Sequence, residues 1–232
     1  DHLPITGLVF VLSGNNVIAV GENGTILHYD GNTWLAMNSD VETNLYGIWG
    51  AANDKIYAVG DNCTILNYDG TTWNNIPIDP ALRFGGLCGI WGSSEDNIFT
   101  CGALTNFFQY DGHSWEYNGS FRTIWLWDLW GESESNVFMV GQSHCIYRYD
   151  GTSWLEIDLP GGQGRYLYDV WGSAANDVFA VGFSGGIYHF DGLNLIKMES
   201  NTREALYGVW GSSHDNVFAV GDQGGIYHYG RR

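Results

Sequence analysis

Six stretches of 24 residues align without a gap, beginning at Thr6, Leu45, Leu87, Leu126, Leu167 and Leu206. LYGVWGSSHDNVFAVGDQGGIYHY from Leu206 shows the pattern most plainly. A chain built this way must fold as a series of like units, each burying its apolar flanks against its neighbours. Each unit reads as four short strands: LYGVWG, NVFAVG, GIYHY, and a run after the Trp of sequences such as DGTSW. Ser/Asn/Asp pairs, Gly-containing loops and an Asp-Gly step separate them, the last favouring a type I′ hairpin. No segment carries a sustained helical period. Four antiparallel strands in about 40 residues, repeated, define a β-propeller. The expected fold is therefore all-β: one six-bladed propeller domain over residues 1–232. The sixth unit ends at Gly230 without a fourth strand, and His2 to Ile5 are expected to supply it and close the ring.

The repeats resemble those of bacterial secreted and cell-surface propellers that read WGSS-x-x-D-V-F-A-V-G-x-x-G-x-I-x-H-Y-D-G. The likeness covers nearly the whole chain through Trp49, Trp91, Trp130, Trp171 and Trp210, the glycines of the second strands, and Asp30, Asp69, Asp111, Asp150 and Asp191. The first unit departs with Phe10 in place of Trp, and the fifth has Leu195 where others carry the fourth-strand Trp. WD-repeat and Asp-box hallmarks are absent. The resemblance implies a fold rather than a function, because propellers host many functions.

Charge narrows the partners. Asp and Glu number 26 against 9 Lys and Arg, giving a net charge of −17. Such a chain cannot make the basic surface that nucleic acid or anionic membranes require, and no apolar run approaches the roughly 18 residues needed to span a bilayer. The expected setting is secreted or cell-surface. The chain begins at Asp1, Asn23, Asn62 and Asn118 sit in glycosylation sequons, and a simple hairpin register in the third unit faces Cys88 with Cys101 as a disulfide. Cys63 and Cys145 fall in separate units and are read as thiols; all four cysteines as buried small hydrophobes is the competing reading.

Up-and-down strands place the fourth-to-first and second-to-third loops at one end. Those loops vary (NSDVETN, DPALRFGG, NGSFRTIW, PGGQGRY, SNTREA), whereas the other end repeats GSSEDN, GSSHDN and Asp-Gly turns. Variable loops on a fixed scaffold carry binding groups. Arg83, Arg122, Arg165 and Arg203 fall in four successive variable loops with Phe84, Trp125 and Tyr166, while Trp127 replaces a repeat Tyr. Guanidinium forks and exposed rings suit an acidic carbohydrate, so the primary expectation is a non-catalytic, lectin-like recognition module. Pairing of the arginines with nearby Asp40, Glu42, Asp79 and Glu204 is the plainer alternative. A structural or protein-docking role in a larger assembly is the second functional reading, with a glycan or a surface protein as partner and the module a monomer or a component. Asp128 and Asp169 replace a repeat Gly on adjacent innermost strands. Two such carboxylates suit calcium, or the acid/base pair of a glycosidase, or structural hydrogen bonds. No other cofactor is implied, and neither a phosphate loop nor a catalytic triad is present.

Overall fold

The structure is a computed structural model describing residues 9–79, 85–104, 106–118, 121, 125–161 and 165–230; side chains 9, 11–13 and 165 are not described. It is all-β, with only three-residue 3₁₀ turns as helical segments among the described residues. Every repeat forms one antiparallel meander in chain order. The fifth repeat, for example, runs through Arg165–Ala174, Asp177–Gly182, Gly186–Phe190 and Leu195–Met198. The sixth forms three strands, the last being Ile226–Gly230. Residues 2–5, expected to complete it, lie outside the described residues.

The chain divides into two units, Asp1–Phe121 and Arg122–Arg232, each holding three repeats. Within each unit the core lies between successive sheets. Ile18, Val20 and Ile26 of the first repeat pack with Leu45, Ile56 and Leu66 of the second; Phe138, Val140 and Ile146 of the fourth pack with Leu167, Val178 and Ala180 of the fifth. Second strands such as Asp177–Gly182 are buried on nearly every residue, because sheets cover both of their faces.

The Trp-Gly step locks one sheet to the next. A Cβ added to Gly92, Gly172 or Gly211 would stand 2.7, 2.6 or 2.6 Å from the indole of Trp49, Trp130 or Trp171 in the preceding repeat. The outer edge of each indole's six-membered ring sits where only a glycine leaves room, as expected of wedges between repeats. Trp210, in the last repeat, is instead 62% exposed.

Two local expectations are corrected. A bulge at each end of the first hairpin shifts its register, so Cys101 lies opposite Gly89 and Trp91 opposite Phe99. Cys88 and Cys101 therefore do not face each other. All four cysteines are buried and no disulfide joins any of them, which removes the bonded-cysteine argument for an oxidising compartment. The Asp-Gly turns are not type I′ either. Positive φ falls on Gly31, Gly70, Gly112, Gly151 and Gly192 but not on the residue after each, as in type II′ turns. The preceding Asp sets this geometry: Asp150 Oδ1 accepts the backbone N–H groups of Thr152 and Ser153 at 2.9 and 2.8 Å. Those bonds hold the Asp150 carboxyl below its ordinary range.

Candidate functional site

The meanders put the fourth-to-first and second-to-third connections at one end of each sheet. In the second unit this end carries a row of rings. Trp127, Tyr168 and Tyr207 occupy the same repeat position, directly after Leu126, Leu167 and Leu206, in the first strands of the fourth, fifth and sixth repeats. Their ring centroids stand 5.1 Å apart from Trp127 to Tyr168, and 5.1 Å from Tyr168 to Tyr207. Tyr166, 40% exposed, meets Trp127 edge-on at 5.6 Å, and the half-exposed Phe183 meets Tyr166 at 6.1 Å. The spacings are those of favourable aromatic pairs.

A bulge explains why these rings are at the surface. The register shifts between Leu167 and Asp169, so Leu167 and Val170 both enter the core and Tyr168, inside the bulge, is left partly exposed. Polar partners orient the tips: Tyr207 Oη donates to Asp222 Oδ2 at 3.4 Å, and Gln142 Nε2 donates to Tyr166 Oη at 3.4 Å. Burial, with Asp222 beside them, raises the Tyr168 and Tyr207 phenols, so both remain protonated donors at neutral pH. The Trp127 Nε1 is buried without an acceptor among the described residues. In the first unit the second repeat has the same arrangement on a smaller scale, Tyr46 Oη donating to Asp61 Oδ2 at 3.0 Å.

The row joins Trp127 and Tyr166, two of the expected binding residues, and Phe183, an aromatic of a second-to-third loop on the expected binding end, to two that sequence reasoning passed over, Tyr168 and Tyr207. Trp125 is half-buried, and its carbonyl accepts the Gln142 N–H at 2.9 Å. Arg83, Phe84 and Arg122 lie outside the described residues. Arg165 pairs through its backbone with Ser143, and Arg203 is exposed, with no carboxylate partner among the described residues. No described contact places the arginines against the rings.

Asp128 and Asp169 do come together. Asp128 Oδ2 accepts the Val170 N–H at 3.2 Å, Asp169 Oδ1 accepts the same group at 3.0 Å, and Asp169 Oδ2 accepts the Val209 N–H at 2.6 Å. Each carboxyl reaches a backbone donor on the innermost strand of the following repeat. Burial, then the neighbouring Asp169 charge, pushes Asp128 well above the carboxylate range, and burial also raises Asp169. The two carboxyls hydrogen-bond to each other and so share a proton. This is a structural use of both groups that needs no cation.

The histidines at one repeat position are likewise structural: His28, His189 and His228 bond Asn16, Asp177 and Asn216 at 2.8, 2.7 and 2.9 Å.

No protein-family model and no curated protein matches the chain. Solved structures do. YCF48 from Cyanidioschyzon merolae is similar over 98% of this chain and 84% of its own, with a TM-score of 0.74 at 14% identity. The WD40 repeats of RRP9 give a TM-score of 0.74 at 8% identity, over 95% of this chain and 75% of theirs. YCF48 bound to D1 peptide covers 100% of this chain and 96% of its own, with a TM-score of 0.51 at 17% identity. At these identities the likeness speaks for architecture only, and that architecture is the β-propeller.

Proposed function

We propose that this chain is a non-catalytic protein-docking propeller that takes a segment of a partner protein across the ring row at Trp127, Tyr168 and Tyr207. The observation that carries the reading is the row itself: three neighbouring strands present partly exposed rings at one repeat position, two of them phenols. Tyr and Trp supply large apolar area at low entropic cost together with a polar handle, and dominate protein interfaces for that reason. A structurally similar propeller, YCF48, binds a peptide, which supports a peptide over a glycan here.

A displayed library of random linear peptides tests it. Sequences enriched on the intact chain are expected to bind at least about tenfold more weakly to Tyr168→Ala and to Trp127→Ala, a loss of roughly 1.4 kcal/mol. Trp34→Ala, an exposed ring in the other unit, is expected to change nothing. Peptide binding indifferent to both row variants, or a glycan array bound through the same rings, overturns the docking reading; the glycan result restores the lectin one.

We further infer that the repeats are six blades of one ring, with residues 2–5 as the outer strand of the last. The outer edge of Ile226–Gly230 has no strand partner among the described residues. Removing residues 1–5 is expected to cost about 2 kcal/mol, or roughly 4–8 °C in Tm for a chain of this size. An unchanged Tm rules out this closure.

A further inference from the structure

The fourth repeat departs from its siblings in one place that the fold does not require. In the first, second, fifth and sixth repeats the second and third strands are joined by a 3₁₀ turn with a left-handed residue at Asn23, Asn62, Ser184 or Gln223. In the fourth the second strand instead runs on to Ser143, pairing Gln142 with Tyr166 and Ser143 with Arg165. A single bend at His144 then leads directly into the third strand, Cys145–Tyr149.

This substitution assembles unlike donors. The third and fourth strands pair Cys145 with Asp158 and Tyr147 with Glu156, so alternation sets Cys145, Glu156 and Asp158 on one face of the hairpin. The bend at His144 brings its ring to the same place. A ring nitrogen of His144, Cys145 Sγ and a Glu156 carboxylate oxygen lie within 4.8 Å of one another. Asp158 Oδ1 stands 3.5 Å from His144 Nε2. The equivalents of Cys145 in the other repeats are Thr25, Thr64, Asn106, Gly186 and Gly225, and those of Glu156 are Ala36, Asn75, Tyr117 and Lys197. No sibling combines a thiol with a carboxylate at these positions.

We propose that His144, Cys145 and Glu156 form a binding site for a borderline divalent cation of the zinc type, with Asp158 placed to complete four-coordination or to orient His144. The donor set selects the metal class. Thiolate and imidazole favour zinc-like ions over calcium or magnesium, which take oxygen ligands. Bonds of about 2.0–2.3 Å draw tetrahedral ligands close together, and the two solvent-facing donors are the ones that must move: the Glu156 side chain is exposed and that of His144 is 44% exposed, whereas Cys145 is buried. Binding replaces the thiol proton by the metal and releases it to solvent. The cation ties the hairpin to the bend two residues beyond Gln142, which itself holds Tyr166, so it stiffens the end of the sheet that carries the ring row.

Cobalt(II) is the probe. One equivalent added to the reduced, metal-free chain is expected to give a thiolate-to-cobalt charge-transfer band with tetrahedral visible bands, both removed by one equivalent of zinc. Cys145→Ser abolishes the charge-transfer band, whereas Cys63→Ser, altering a buried thiol of the other unit, leaves it intact. Glu156→Gln changes an exposed side chain, folds as the parent by circular dichroism, and weakens zinc binding at least about tenfold, as does His144→Ala. No charge-transfer band, a band that survives Cys145→Ser, or parental zinc affinity in both Glu156→Gln and His144→Ala overturns the site.

Discussion

Gly60→Ala is expected to cost about 3 kcal/mol and to lower the Tm by roughly 6–12 °C, although it adds a single methyl group. Gly60 ends the second strand of the second repeat, with extended backbone that any residue adopts, so the reason is not conformational freedom. The reason is a carbonyl. A Cβ at Gly60 stands 2.0 Å from the Asn44 carbonyl oxygen and 3.0 Å from Leu45 Cα. That carbonyl cannot withdraw, because it accepts the Asp61 N–H at 2.9 Å where the bulge brings the incoming strand across the sheet. Relieving the clash means breaking the bond and parting the first two strands. Gly102, Gly141, Gly182 and Gly221 meet the carbonyls of Gly86, Trp125, Tyr166 and Ala205 at 2.0–2.1 Å in the same way, so the glycine of every AVG-like step after the first repeat answers one steric demand. Gly14→Ala is the control: nothing lies within 4 Å of its Cβ position, and its effect is expected to stay within about 0.5 kcal/mol. Thermal unfolding of the two variants beside the parent decides the matter; equal melting temperatures refute the carbonyl argument.

The repeat made the architecture legible and hid the details that differ between repeats. Strand order, the Trp wedges at Trp49, Trp130 and Trp171 and the varied loop end all follow from aligned positions, because packing imposes the same demand on each sheet. The bulges were not legible, since an extra residue in a hairpin leaves the hydrophobic pattern nearly unchanged while sliding Cys101 from Cys88 to Gly89. The ring row was half legible. Trp127 stood out as a substitution, whereas Tyr168 and Tyr207 looked like ordinary repeat residues; only the depth of the strand end separates a core Tyr from a surface one. The His144, Cys145 and Glu156 cluster had a usable signal. Counting outward from the turn that pairs Tyr149 with Trp154 places Glu156 and Asp158 on the Cys145 face, but the bend that brings in His144 stands where the first, second, fifth and sixth repeats have a 3₁₀ turn.

Asp128→Asn is expected to raise stability at neutral pH while leaving it nearly unchanged near pH 4. The carboxyl is buried beside Asp169 and its pKa is raised well above the ordinary value, so folding favours its protonated form. Stability from such a group is fully present below the unfolded carboxyl value, about 3.9, and is lost as pH rises through the higher folded value, because only the unfolded chain gives up the proton readily. The amide keeps the useful contacts without the penalty: its N–H₂ donates to Asp169 as the protonated Asp128 does, and its oxygen accepts the Val170 N–H. The Tm of Asp128→Asn should exceed that of the parent by about 3 °C or more at pH 8, where roughly 1 kcal/mol moves a chain of this size by about 2–4 °C, and the gap should close toward pH 4. Asp128→Ala behaves differently, losing roughly 1–3 kcal/mol at pH 4 because Asp169 loses its buried carboxyl partner, although the Val170 N–H keeps Asp169 Oδ1. A melting curve that parallels the parent at every pH for Asp128→Asn shows that the two carboxyls do not share a proton. Calcium that raises the parent Tm and not that of Asp128→Asn assigns a cation to the pair instead, and with it the carboxylate chemistry that the hydrogen bonds now make unnecessary.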